Sequence, residues 1–267
     1  IIKKIEEIII SGQLSSGKFV EMFEKKFSDY VGSKYSIAVN SGGTGLELAL
    51  EALNIKGKEV LMPTQTFIAT PNSVIRAGGK PIFCDIERNT GCLNSEDVLK
   101  KISKKTAGII FVPMFGIMPQ SIIKIKKICK EKGIFLMEDA AHAHGASINN
   151  KKAGTIGDIS VFSFYATKII TTGEGGMIVT NNRKLNQRCL MLRNHGRSLK
   201  NNLFELHGNN FRLSEIQALI GIYQLKNITK SIKHRNLIAK IYHDKLNNTK
   251  FFEKLNFYKY SINSFWR

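Results

Sequence analysis

Short apolar runs separated by stretches of helical periodicity fill the first two thirds of the chain. Tyr35 to Val39, Glu59 to Met62, Pro81 to Cys84, Ala107 to Val112 and Ile134 to Met137 are too short and too continuous for amphipathic helices and read as strands. Between them Thr44 to Leu53, Ser95 to Ile102 and Ser121 to Lys132 space their apolar residues as helices do. Alternating strands and helices predict parallel pairing in one sheet covered by helices on both faces. Ile159 to Phe164 and Gly176 to Thr180 add two strands, separated by the loop Tyr165 to Gly175. From Arg183 helical spacing takes over, through Leu185, Leu192, Leu213, Ile216, Leu219 and Leu225, and then from Ile228 to Leu246. The pattern predicts a large α/β domain over 1–228 and the start of a small C-terminal domain over 229–267. The chain opens on Ile1 and stops at Ser264-Phe265-Trp266-Arg267, which reads as the start of a strand, so both ends read as cut and the small domain as incomplete.

Size and composition narrow the class. The 267 residues suffice for one large core. The longest apolar stretch, Ala107 to Met118, is interrupted by Pro113 and Gly116 and is far below the roughly 18 residues of a membrane span. The first ten residues mix acids and bases and lack the order of a signal peptide. Cys84, Cys92, Cys129 and Cys189 are spaced for neither a disulfide framework nor a metal knuckle, so reduced thiols and a cytoplasmic location are expected. A formal charge of +19 raises the question of nucleic acid. Only nine of the 40 basic residues are arginines, however, and the lysines are scattered among Ile and Asn. With no helix-turn-helix, zinc finger or aromatic RNA-binding signature, no nucleic-acid or membrane partner is expected.

In open α/β sheets ligands bind beyond the carboxyl ends of the strands, and four such places stand out. Asn40-Ser41-Gly42-Gly43-Thr44-Gly45 follows a strand and opens a helix, where unpaired N–H groups and the helix dipole make a phosphate seat. It has neither the Walker nor the dinucleotide spacing, and a plain turn with a helix cap is an equal reading. Glu138-Asp139-Ala140-Ala141-His142-Ala143-His144-Gly145 brings two acids and two histidines to a strand end. A carboxylate buried there needs a cation, either a metal on Asp139, His142 and His144 or a protonated heterocycle; a plain surface loop is the remaining reading. Lys168 follows Asp158 to Thr167 and precedes Thr171-Thr172-Gly173-Glu174-Gly175-Gly176; aromatic, small and glycine neighbours favour a neutral, nucleophilic amine. Pro63-Thr64-Gln65-Thr66-Phe67 offers an aromatic face after another strand, although core packing explains a lone Phe more often.

With these residues in view, the chain resembles the sugar aminotransferases of the DegT/DnrJ/EryC1/StrS family, fold type I enzymes that use pyridoxal 5'-phosphate (PLP) on nucleotide-linked keto sugars. The motifs that carry the resemblance are Glu138 to Gly145, Phe162 to Lys168, Thr172 to Gly176, Arg193-Asn194-His195-Gly196 and Gly208-Asn209-Asn210-Phe211-Arg212. The resemblance implies that Lys168 is the Schiff-base lysine and the base that moves the substrate proton, and that Asp139 pairs with the pyridine nitrogen so that the ring acts as an electron sink. It places His142 beside the ring and its phenolic oxygen and Phe67 near the ring face. Gly42, Gly43, Thr44 and Ser163 would hold the phosphate, and Asn210 would reach the phosphate of a neighbouring subunit, which implies a homodimer with shared active sites and no metal. The family's Ser-Gly-Thr is here Ser41-Gly42-Gly43-Thr44, and Pro113 stands where a histidine is frequent. The expected reaction carries an amino group from L-glutamate to a nucleotide-linked keto-6-deoxysugar, for surface-polysaccharide or related amino sugars. The rival readings are a truncated, non-catalytic PLP-fold protein and a PLP enzyme acting on a non-nucleotide keto-cyclitol.

Overall fold

The computed structural model describes residues 1–201, 203–246 and 257–266. In chain order the helices are α1 (Ile2–Ser11), α2 (Lys18–Val31), α3 (Gly42–Ala52), α4 (Ala69–Arg76), α5 (Ser95–Lys101), α6 (Ser121–Lys132), α7 (Arg183–Arg193), α8 (Glu215–Leu225) and α9 (Ile228–Leu246). The strands are β1 (Tyr35–Val39), β2 (Glu59–Pro63), β3 (Lys80–Cys84), β4 (Thr106–Phe111), β5 (Phe135–Asp139), β6 (Ser147–Ile148), β7 (Lys151–Lys152), β8 (Ile159–Ser163), β9 (Gly176–Thr180) and β10 (Ser261–Ile262). Seven strands form the central sheet in the order β1-β9-β8-β5-β4-β2-β3. From β8 to β3 every pairing is parallel, as the alternating pattern requires, while β9 runs antiparallel to both β8 and β1. The β8–β9 loop carries no helix to cross over with, so the chain can only turn back.

The sheet interior is buried on both faces. In β5 and β8 only Phe135 and Ser163 are not fully buried, which is why these strands read as continuous apolar runs rather than alternating ones. One layer of the core is aromatic. Phe23 and Phe27 of α2 meet Phe162 and Phe164 with centroids 5.0 to 5.5 Å apart and tilted or edge-on planes. Local chemistry sets the helix ends: Asn94 caps α5 on Glu96 and Asp97, Ser214 and Gln217 form a capping box on α8, and Gly133 closes α6 in the left-handed region.

The apolar spacing located the central strands and α3, α5, α6, α7, α8 and α9, but α1, α2 and α4 add to it. In α4, Pro71 sits in the first turn, where the missing N–H costs no intrahelical bond. β5 runs two residues further than the apolar run, so Glu138 and Asp139 belong to the strand itself. The strand expected at Ser264 to Trp266 lies earlier, at Ser261–Ile262, paired with β6. Ser264 and Trp266 instead donate single backbone bonds to Gly116 and Phe115, because that loop offers carbonyls but no strand to extend. Residues 247–256 and Arg267, within the expected second domain, lie outside the described residues.

Candidate active site

β5 ends in two consecutive carboxylates that alternate across the strand. Glu138 accepts N–H bonds from Gly154, Ile156 and Gly157 at 2.7 to 2.9 Å and the Ser160 hydroxyl at 3.2 Å. It thus pins the loop that leads into β8. Asp139, 5% exposed, accepts the Thr70 hydroxyl at 2.7 Å and the Ala141 N–H at 3.3 Å. Burial pushes its carboxyl above the usual range; the Thr70 and Ala141 bonds and the positive charge of Lys168 pull it back. The positive charge that acts on this buried carboxylate is that of Lys168. Thr70 was not singled out in the sequence. Its signal is the pair Thr66 and Thr70, four residues apart at the start of α4, whose hydroxyls are 2.7 Å from each other.

Lys168 lies in the β8–β9 loop, and its Nζ stands 4.2 Å from the centroid of the Trp266 indole. The same indole stacks on His142, with centroids 3.8 Å apart and planes at 16°. Phe115, in left-handed backbone conformation, lies nearly parallel to His142 at 6.5 Å. His144 is buried one layer deeper, 5.2 and 5.7 Å from the rings of Phe162 and Phe164. Burial, with Lys168 and His142 as neighbouring positive charges, pushes its imidazole down to about 3, so it is a neutral packing group. No group of three or more His, Cys, Asp or Glu side chains is arranged to hold a metal ion among the described residues. Trp266 was read only as the onset of a strand; nothing local in the sequence marks it, since it lies far along the chain from both partners.

The turn between β1 and α3 is built as a cradle. Ser41 caps α3 by accepting the Thr44 N–H at 3.1 Å, and Thr44 Oγ1 donates to Asn40 Oδ1 at 2.6 Å. The first-turn N–H groups of Gly42 and Gly43 are of the kind that a helix leaves without internal acceptors. A Cβ on Gly42 would lie 2.7 Å from the Ser163 Cβ, and one on Gly176 would lie 2.5 Å from the Ser41 carbonyl oxygen. Two missing side chains therefore let the helix N-terminus settle onto the ends of β8 and β9, with Ser163 against Gly42. Asn210 lies beside this turn: its carbonyl accepts the Asn40 side-chain amide at 3.4 Å, and its side chain is exposed. The two glycine-bearing motifs of this region hold each other. Arg212 donates to Asn194 at 2.6 Å, and Arg193 pairs with Glu24 at 2.6 Å while donating to the Ala38 carbonyl at 3.0 Å, which ties both to β1. Phe67 is 71% exposed and leaves its ring face uncovered.

These residues fit PLP. The buried Asp139 carboxylate suits a protonated pyridine nitrogen, Lys168 supplies a primary amine within its electrostatic reach, and the α3 turn suits a phosphate. Phe67 offers a free aromatic face to a flat ring.

The chain is similar to known proteins over nearly its whole length. The family model of the DegT/DnrJ/EryC1/StrS aminotransferase family matches residues 1–266. GDP-perosamine synthase of Vibrio cholerae is 39% identical over 247 residues, covering 91% of this chain and 67% of that protein. The chain thus spans about two thirds of that relative's length. Among solved structures, the aminotransferase from Psychrobacter cryohalolentis superposes with a TM-score of 0.94 at 30% identity, over 99% of this chain and 73% of that one. GDP-4-keto-6-deoxy-D-mannose-3-dehydratase of E. coli, with bound hydrated PLP, gives a TM-score of 0.91 at 29% identity, over 99% and 74%. The chain belongs to the DegT/DnrJ/EryC1/StrS aminotransferase family, has its fold type I architecture and works with pyridoxal 5'-phosphate.

Proposed function

We propose that the chain transfers an amino group from L-glutamate to a keto-6-deoxysugar carried on a nucleoside diphosphate, for surface-polysaccharide or related amino sugars. The observation that carries this reading is the buried Asp139 carboxylate, oriented by Thr70, within the electrostatic reach of the Lys168 amine. The names of the relatives support the substrate class, since GDP-perosamine synthase and GDP-4-keto-6-deoxy-D-mannose-3-dehydratase are both named for GDP-linked sugars.

PLP, when bound, supplies an electron sink for the carbanion formed at the amine-bearing carbon. In this reading Asp139, oriented by Thr70, holds the proton on the pyridine nitrogen. Gly42, Gly43, Thr44 and Ser163 would hold the phosphate, and Phe67 and His142 would flank the ring. Lys168 Nζ would hold the cofactor and would take and return the substrate proton. Asn210, exposed in the single chain, fits contact with a second copy, and a homodimer with shared active sites is part of the proposal. So are the domain division at 228/229, supported by the burial of only Ile228 and Ile232 along α9, and a cytoplasmic location. Among the described residues no helix is long and apolar enough to cross a membrane. The four cysteines are free and buried, with thiols pushed up to about 11 or 12 by burial, which leaves them unreactive.

The test is spectroscopic. The purified chain mixed with PLP should develop a visible band that L-glutamate bleaches and a GDP-linked 4-keto-6-deoxyhexose restores, with the amino sugar detected by mass; Lys168→Ala should lack the band. A chain that stays colourless, or that forms the band equally well as Lys168→Ala, overturns the reading.

A further inference from the structure

The segment that ends in Trp266 touches both residues on which the chemistry is placed, by backbone as well as by ring. Ser264 Oγ donates to the His142 carbonyl at 2.9 Å, and Trp266 Nε1 donates to the carbonyl of Thr167, the residue before Lys168, also at 2.9 Å. The backbone is anchored independently of those contacts. Ser264 N and Trp266 N donate to Gly116 and Phe115, the Met118 N–H donates to the Asn263 side chain, and Arg235 of α9 donates to the carbonyls of Phe265 and Trp266. Five bonds therefore hold the segment Asn263 to Trp266 without involving the indole, and the bond from Nε1 to Thr167 orients the ring. With the indole so placed, His142 lies flat against it at 3.8 Å and the Lys168 Nζ sits 4.2 Å from its centroid.

We propose that Trp266 is a positioning residue of the active site, whose indole sets the plane of His142 and holds the Lys168 amine at the place where it meets the cofactor aldehyde. The inference rests on the reading of Lys168 as the PLP lysine. A free lysine side chain loses more rotamer entropy on ordering than most others. A preset aromatic face that attracts the cation removes part of that loss before the cofactor arrives, which is the way a support shell sharpens a reactive group. The indole N–H contributes separately, because its bond to Thr167 fixes the start of the loop that carries Lys168.

Trp266 is the one tryptophan of this sequence, so its fluorescence reports the site without ambiguity. Equilibrium dialysis of PLP against the chain should show affinity weakened about 2- to 5-fold in Trp266→Leu, because the amine is then no longer ordered before capture, with most of the loss recovered in Trp266→Phe. In the cofactor-free chain, indole emission should rise in His142→Leu, because a stacked imidazole quenches on contact. A folded Trp266→Leu that binds PLP as tightly as the unsubstituted chain overturns the inference. So does indole emission that is the same with and without His142, and this arm stands even if the Leu variant fails to fold. Failure of the Lys168 reading itself is distinguishable, because PLP would then not be captured at Lys168 in the unsubstituted chain.

Discussion

Glu138 and Asp139, adjacent carboxylates at the end of β5, are both buried yet satisfied in opposite ways. Glu138 is surrounded by three backbone N–H donors and a hydroxyl. Asp139 has one hydroxyl and one long backbone contact. Strand alternation sends them to different faces, so one acid can be structural and its neighbour chemical without competing for the same partners. Burial raises the carboxyl pKa of both; Glu138 is compensated by four hydrogen bonds, Asp139 by two and by the charge of Lys168.

Asp139→Asn should make the cofactor-free chain more stable at neutral pH while weakening PLP binding. The folded-state pKa of Asp139 is raised, so the fold binds its proton more readily than the unfolded chain does, and the charged form costs stability at pH values above the ordinary carboxyl range. Removing that charge should add on the order of 1 kcal/mol at pH 7, and the difference should shrink as the pH is lowered. Urea unfolding of both forms at several pH values, with PLP affinity measured in parallel, checks it. A variant that loses stability at pH 7 contradicts this account.

Glu138→Gln should do the reverse. The amide nitrogen would face N–H donors at Gly154, Ile156 or Gly157, so at least one buried donor is left without an acceptor, at about 1–3 kcal/mol each. Thermal unfolding of the cofactor-free chain should show the loss directly, and unaltered stability would mean that the loop around Gly154 is held by other contacts.

His144 should make the fold acid-sensitive. Its imidazole stays neutral in the fold down to about pH 3, whereas in the unfolded chain it takes up a proton near its ordinary value of 6.5. Between those values the unfolded state binds more protons, so stability falls as the pH drops through the window. The raised Asp139 carboxyl acts in the opposite direction over part of it. His144→Leu should flatten the fall of the urea midpoint below pH 6.5. The same slope in both proteins would locate the acid sensitivity elsewhere.

Gly42→Ala should damage the phosphate seat rather than the core. The added methyl would meet Ser163 Cβ at 2.7 Å and Cα at 3.2 Å, and it can be accommodated only by lifting the α3 N-terminus from β8. Because displacement of the anion-binding N–H groups acts on the phosphate, PLP affinity should fall by about tenfold or more, at a stability cost of about 1–3 kcal/mol. Gly43→Ala is the control. Its Cβ would approach nothing closer than Ser41 Oγ at 3.8 Å, and its affinity should change far less.

Most of the sheet was legible because its strands are buried on both faces and so appear as unbroken apolar runs, whereas the antiparallel direction of β9 was not read from the sequence. Asp139, Lys168 and Gly42 stood out as candidates because such folds put ligand-facing residues where strands end, and Ser163 followed from the family resemblance. The contacts that orient them were harder to see. Thr70 acts across 69 positions on Asp139, and Trp266 acts across 99 positions on the Thr167 carbonyl. Neither carries a local periodicity, since hydrogen bonding and ring stacking depend on where two loops meet rather than on which residues neighbour them in sequence. Asn210 was equally invisible as a contact of Asn40, because the pairing joins two turns by backbone and amide groups.

Phe67 provides a test that separates cofactor binding from folding. With 71% of its surface exposed, the ring contributes little buried area to the isolated chain, so Phe67→Ala should change urea stability by no more than about 0.5 kcal/mol. A stacked aromatic pair is worth about 0.5–1.5 kcal/mol beyond its area, so loss of the ring from the cofactor's face should weaken PLP binding by roughly 2- to 10-fold. Phe67→Tyr keeps the face and should bind as the unsubstituted chain does. Dialysis and unfolding on the same three proteins decide the matter. If Phe67→Ala loses stability but retains PLP, the ring is packed against another surface in solution, and its exposure in the single chain marks an interface between subunits instead of a cofactor contact.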